Sequence, residues 1–276
     1  MHEAATPEDV TAEGVFQSVL DGYTAVYDAL PNGETFNRIW REKAYHGEFP
    51  IEFAHIGFLT LSEAQRLRLL LNLGAGSTLA DVACGAGGPG LWMARDSGAT
   101  LIGVDPAEPG LAMARRRADA LGLSVQATFQ QGTFEHMGLG DGTVDAVMSI
   151  EAFQYAPDKR AAMAEFARII RPGGKVSFVC FEVDPGKAAG LPVLGVDPVG
   201  DYRPLLEEAG FVIDVYEETP GWEDRVYGVF QALVEASDVL NAEMGEQAAA
   251  GALAEAMLTV AMKPYPRRIL GVATAQ

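Results

Sequence analysis

The sequence predicts an α/β fold, a seven-stranded sheet with helices on both faces, and three observations predict it. From residue 73 onward, apolar runs alternate with amphipathic stretches, the pattern of a sheet covered on two faces. A glycine-rich stretch, DVACGAGGPG at 81–90, follows the first of those runs. The length, 276 residues, suits one such domain with an added cap.

The elements follow in order. TLADVAC (78–84), TLIGVDP (100–106), SVQATFQQG (124–132), VDAVMSIEA (144–152) and KVSFVCFE (175–182) read as strands. GLAMARRRADALG (110–122), KRAAMAEFARII (159–170) and DYRPLLEEAG (201–210) read as the helices between them, and the alternation predicts parallel pairing. FVIDVYEE (211–218) and RRILGVATA (267–275) read as the last two strands, separated by an Ala- and Glu-rich insertion, about 222–263, that reads as two helices. Residues 1–72 differ in pattern, helical and aromatic with breaks at LPNGE and GEFP. They are expected to form a lid over a core that spans 73–276.

Composition excludes several classes. Twenty basic and thirty-eight acidic residues leave a net charge of −18. That charge repels phosphate backbones and anionic lipid, so neither nucleic acid nor a membrane is an expected partner. No run of about eighteen apolar residues is present to span a bilayer. Cys84 and Cys180 are too few for a disulfide framework, and no metal site is expected. The acidic N-terminus is unlike a signal peptide. A cytoplasmic monomer or homodimer is the expectation.

Gly85, Gly87 and Gly90 fit the G-x-G-x-x-G spacing of a strand turning into a helix at a nucleotide. Such a turn brings a ligand to the backbone at a helix N-terminus, and Pro89 suits the first helical turn. Asp81 decides which ligand. An acid in the strand opposes a pyrophosphate but suits an ammonium group. S-adenosylmethionine (SAM) carries an ammonium and a sulfonium and no phosphate. Asp105, at the tip of the second strand, can accept the two hydroxyls of a ribose. YAPDK (155–159) matches the Tyr-x-x-x-Lys pair of short-chain dehydrogenases, but Pro157 between the two side chains separates them from a common helical turn.

DVACGAGGPG, GVDP, QQGTFEHM, VDAVMSIEAFQYAPD and EFARIIRPGGKVSF, in this order and spacing, resemble the seven-stranded, Rossmann-like SAM-dependent methyltransferases. Within these the chain is most similar to small-molecule enzymes acting on sugars, tocopherols and prenyl compounds. The resemblance covers about 75–215, and HIGF (55–58) extends it weakly into the front segment. It implies methyl transfer to oxygen or carbon of a small-molecule acceptor in natural-product metabolism, with S-adenosylhomocysteine as product. Ala83, Cys84, Gly85 and Gly87 would line the methionine moiety, with Asp81 at its ammonium. Asp105 and Pro106 would hold the ribose, Thr133 and Phe134 would border the adenine, and Ile150 and Glu151 would lie under the methyl group. RPGG (171–174) would be the turn into strand five. Ala83 stands where glycine is common, and Thr133 where an acid is common.

Sugar O-methyltransferases often carry histidine near Gln154 and Tyr155; none stands there. Glu151 is therefore the expected proton acceptor, with His55 second. His2, His46 and His136 show no metal-ligand spacing. Tyr23, Tyr27, Trp40, Gln154, Tyr155 and Trp222 are the expected acceptor contacts, with the 182–200 loop closing one side. Arg38, Arg41 and Lys43 form either a solvated helix face or an anchor for an anionic acceptor. A protein or RNA methyltransferase and a non-catalytic SAM-binding protein are the alternatives.

Overall fold

The computed structural model describes residues 11–186, 198–263 and 266–276. Seven strands, β1 (Thr78–Val82), β2 (Thr100–Asp105), β3 (Ala127–Gln131), β4 (Val144–Ile150), β5 (Ile170–Val183), β6 (Phe211–Glu218) and β7 (Pro266–Ala275), form one sheet in the order β3-β2-β1-β4-β5-β7-β6. The pairings from β3 through β5 are parallel, whereas β7 runs antiparallel to β5 and β6. The uniformly parallel expectation is corrected there. The insertion before β7 returns the chain from the opposite direction, so β7 enters between β5 and β6 reversed.

Helices cover the sheet: α1 (Ala12–Ala29), α2 (Glu34–Ile39), α3 (Leu61–Leu70), α4 (Gly88–Ser97), α5 (Glu108–Ala120), α6 (Lys159–Ile169), α7 (Arg203–Glu208), α8 (Trp222–Glu235), α9 (Ser237–Met244) and α10 (Glu246–Met262). The insertion holds three helices where two were expected. Gly245, at φ 82°, sits between α9 and α10 and breaks what reads in sequence as one run. RPGG is no free turn either. It lies within β5, where four residues bulge between the Val144–Ile170 and Ala146–Lys175 pairings.

The front segment has two roles. Thr60 and Glu63 form a reciprocal capping box that starts α3, and α3 packs against α4 beside the sheet. By contrast, α1 lies against α5 and α10, and α2 against α8 and α9. Phe36, Trp40, Phe49, Phe53 and Phe58 are buried in one hydrophobic core shared with α8 and the sheet. Most of the front aromatic residues therefore hold the cap down, because burying each ring stabilises by roughly 1.5–3 kcal/mol. Residues of α1, α2, the 51–58 segment, α8 and α10 stand over the C-terminal ends of β1, β2 and β4, where doubly wound sheets place ligands.

Candidate functional site

The loop after β1 is built from left-handed residues: Ala83 (φ 58°), Gly85 (φ 51°) and Gly87 (φ 73°). The Ala83 and Cys84 N–H groups donate to the Val104 carbonyl, so the loop is pinned to β2. Asp105 holds it from the other side: its Oδ2 accepts from the Gly85 N–H and its Oδ1 from the Ala107 N–H, each at 2.8 Å. Each oxygen retains a lone pair for a further donor. Gly87 faces Ala114 and Phe129 rather than a cavity, and serves as the turn that starts α4.

A cavity of about 220 Å³ opens between this loop and the lid, lined by Asp81, Ala83, Cys84, Gly85, Tyr27, Tyr45, His55, Arg117 and Ile150 among others. Asp81 is 2% exposed, and its Oδ2 has no hydrogen-bond partner. Burial first, then the charge of Asp105, pushes its pKa up to about 8. A buried carboxylate with an unmet oxygen fits an ammonium group. Arg117, which donates to the Ala86 carbonyl at 2.9 Å, places a guanidinium on the same lining for a carboxylate. These residues suit the zwitterionic end of SAM. An adjoining cavity of about 90 Å³ is lined by Asp105, Pro106, Phe134 and Ile150 under α1 residues Tyr23 and Tyr27, and suits its adenosine. Thr133 is not on the walls of these cavities; its backbone closes a turn with His136.

Ile150 borders both chambers, and Glu151 passes from the adenosine side to a third, of about 50 Å³. That chamber is walled by Trp40, Phe58, Phe181 and Phe230 and by Tyr23, Gln154, Tyr155 and Glu255. Its small volume means that a ligand larger than a few atoms must displace aromatic walls to enter. Trp40 Nε1, Gln154 Oε1 and Thr259 Oγ1 on its lining are buried without hydrogen-bond partners.

Glu151 is not the free carboxylate that the sequence suggests. Its Oε1 accepts from Arg268 Nε at 2.6 Å and its Oε2 from the Phe58 N–H at 2.5 Å. Burial raises its pKa, and Arg268 opposes that rise. Arg268, fully buried, also donates to both oxygens of Glu63 and to Thr219, while Arg225 completes the pairing with Glu63. This network ties β4, the 55–58 segment, α3 and β7 together behind the chamber. His55 lies on the cofactor-side cavity rather than the acceptor side. Burial lowers its pKa to about 4, and Nδ1 sits 3.3 Å from the Phe53 carbonyl.

Trp222 is also displaced from its expected place. It packs on Phe181 and Tyr227 and donates to Glu218, behind the chamber wall rather than on it. Arg38 is half exposed and pairs with Glu42 on a solvated helix face, whereas Arg41 lines the cofactor-side cavity. Tyr155 ends a short 3-10 turn and Lys159 opens α6, so the two do not share a helical turn. Residues 187–197 of the expected closing loop, and His2, lie outside the described residues. Sequence reasoning missed Glu255, which accepts from Tyr155 at 3.0 Å and from Tyr23 at 3.2 Å. The signal was one acid in the middle of an apolar helix, ALAEAMLTVAM. Arg268 gave no signal, because nothing local marks an arginine as the buried one.

A family model described as a methyltransferase domain matches residues 80–178. The methyltransferase GfsG of Streptomyces halstedii is 31% identical over 195 residues, covering 65% of this chain and 68% of the relative. The 27-O-demethylrifamycin SV methyltransferase of Amycolatopsis mediterranei is 27% identical over 217 residues, 73% of this chain and 78% of the relative. Among solved structures, the cyclase SpnF superposes with a TM-score of 0.72 at 21% identity over 99% of each chain, a likeness of fold. Together with the β1 loop held by Asp105 and the strand order, these matches place the chain in the Rossmann-like, S-adenosylmethionine-dependent methyltransferase family.

Proposed function

We propose that this enzyme transfers the methyl group of SAM to a hydroxyl oxygen of a neutral, largely apolar small molecule in natural-product metabolism. The observation that carries the reading is the third chamber. It is apolar-walled, shares Ile56 with both cofactor chambers and Glu151 with the adenosine-side one, and holds three buried polar atoms without partners. Unmet polar atoms in an apolar-walled pocket ask for a ligand with a few hydrogen-bonding groups on an apolar skeleton. Among the described lining residues, the charges are Glu151, Glu255 and Lys159. That balance disfavours a diphosphate or carboxylate acceptor. The name of the rifamycin enzyme supports a natural-product acceptor.

SAM supplies a methyl group on a positively charged sulfur, which leaves by in-line displacement. The protein's share is alignment and exclusion of water. Asp81 and Arg117 would hold the amino-acid end, and Asp105 with Phe134 the nucleoside. Ile150 would form the floor beneath the reacting carbon. The Glu151–Arg268 pair would keep the 55–58 segment in place between the chambers. The front segment, 1–72, would act largely as the cover, with α3 as part of the core.

No described helix is long and apolar enough to cross a membrane, and a cytoplasmic location is part of the reading. The test is S-adenosylhomocysteine release with SAM and a panel of neutral hydroxylated natural products, including 27-O-demethylrifamycin SV, beside prenyl diphosphates, RNA and protein. Turnover is expected on neutral hydroxylated compounds. Turnover confined to diphosphates, RNA or protein refutes the reading.

A further inference from the structure

We propose that Glu255, held between the hydroxyls of Tyr23 and Tyr155, is the catalytic group that takes the proton from the acceptor's hydroxyl. The assignment rests on the reading above of the third chamber as the site of a hydroxyl-bearing acceptor.

Position is the first argument. Glu255 lines the acceptor chamber and, on its other side, a groove of about 180 Å³ between α1 and α10. Gly22 and Gly251 bring the two helices together there, with a Cβ built on Gly251 only 3.4 Å from the Gly22 Cα. A proton acceptor needs access to substrate on one side and a route to solvent on the other. Tyr23 and Tyr155 line the same chamber and groove, so the three polar groups form the partition between them.

The second argument is chemical. Tyr155 and Tyr23 donate to the carboxylate at 3.0 and 3.2 Å. Two donors leave lone pairs on a carboxylate that offers about four acceptor sites. The other candidates are engaged or elsewhere. Glu151 is ion-paired with the Arg268 guanidinium, which lowers its basicity, whereas the two donors to Glu255 are neutral phenols, and His55 faces the cofactor-side cavity. Burial raises the pKa of Glu255, making it a stronger base than an exposed carboxylate.

An independent observation shows that the chamber is built for a polar ligand. Gln154 Oε1 and Thr259 Oγ1, on residues 8% and 5% exposed, stand on the same lining without partners. Buried polar groups are paired in native proteins, so these mark positions that a ligand would satisfy.

The step balances as follows. A lone pair on the acceptor oxygen forms the bond to the methyl carbon, and the carbon–sulfur bond breaks with its electron pair staying on sulfur. The oxygen's proton passes to the Glu255 carboxylate. The products are the methyl ether and S-adenosylhomocysteine. Glu255 then releases its proton through the α1–α10 groove.

The probe for this is 2-naphthol, which becomes strongly acidic on excitation and emits as naphtholate where bulk water or a base within hydrogen-bond reach takes its proton, so the emission of the free dye is subtracted. The dye is titrated into the full chain saturated with S-adenosylhomocysteine. Saturable naphtholate emission is expected in the native protein. Glu255→Gln should lose it while the dye stays bound, and Glu255→Asp should keep it. Calorimetry of S-adenosylhomocysteine binding shows that each variant is folded. Naphtholate emission that survives in Glu255→Gln, or bound dye emitting only as neutral naphthol in the native protein, overturns the assignment and leaves the chamber reading intact. Loss of emission in the Asp and Gln variants alike points to helix packing and also overturns it. Absence of saturable dye binding refutes the chamber reading, and the assignment falls with it.

Discussion

Removing the Asp81 charge should weaken cofactor binding and abolish its dependence on pH. Asp81 is buried, its Oδ2 lacks a partner, and burial followed by the Asp105 charge raises its pKa to about 8. Below that pH the ligand-free carboxyl carries a proton that an incoming ammonium group must expel. Binding then releases a proton, and affinity rises with pH by up to about tenfold per unit until pH ~8. From pH ~6 to ~7.5 the gain is roughly 30-fold, or about 2 kcal/mol at 1.36 kcal/mol per unit. The window stops there because a free α-amino group itself titrates near ~8. At pH ~7.5, ionising the carboxyl costs about 0.7 kcal/mol, set against roughly 1.5–3 kcal/mol for a charge-assisted hydrogen bond. Asp81→Asn should therefore cost roughly 1–2 kcal/mol, about five- to thirtyfold in Kd, and leave affinity flat with pH. The same shift has a sign for stability. A carboxyl raised in the folded state stabilises the ligand-free protein most below its unfolded pKa near ~4, and that contribution is lost as pH rises through about 8. The assay is calorimetric titration with S-adenosylhomocysteine in buffers of different ionisation enthalpy, which counts the protons released. Equal affinity across the window in the native protein, or native affinity in the Asn variant, refutes the placement of an ammonium at Asp81.

Three further outcomes are expected. Asp105→Ala removes the acceptor for the Gly85 and Ala107 N–H groups and should lower S-adenosylhomocysteine affinity by about tenfold or more; unchanged calorimetric affinity refutes the ribose assignment. Ala83→Gly relieves a left-handed alanine at φ 58° and should stabilise by about 0.5–1 kcal/mol, net of glycine's greater unfolded-state entropy. A melting temperature that fails to rise shows that the methyl is packed to advantage. Arg268→Met leaves Glu63 and Glu151 buried without their shared cation and should cost roughly 3–5 kcal/mol in denaturant unfolding; a loss below about 1 kcal/mol shows that the network is solvated.

Local pattern in the sequence determined the seven strands, the β1 loop and the Asp81–Asp105 pair. Apolar periodicity and glycine spacing are properties of neighbouring residues, and the ends of parallel strands converge wherever the sheet forms. Ala83 was legible as a departure from the usual glycine, but its left-handed backbone appears only once the loop is pinned to Val104. Tertiary structure decided the rest. Glu151 looked free at a strand tip, yet Arg268, 117 residues later in the chain, takes one of its oxygens and the Phe58 N–H, 93 residues earlier, takes the other. Trp222 carried the composition of a pocket wall and became packing behind Phe181. Glu255 is one acid in an apolar run and drew no reading from the sequence, and the docking of α10 on α1 turned it toward Tyr23 and Tyr155. The physical reason is common to all three: a long-range pair depends on how helices dock across the sheet, and docking is set by summed burial over many residues rather than by any local run.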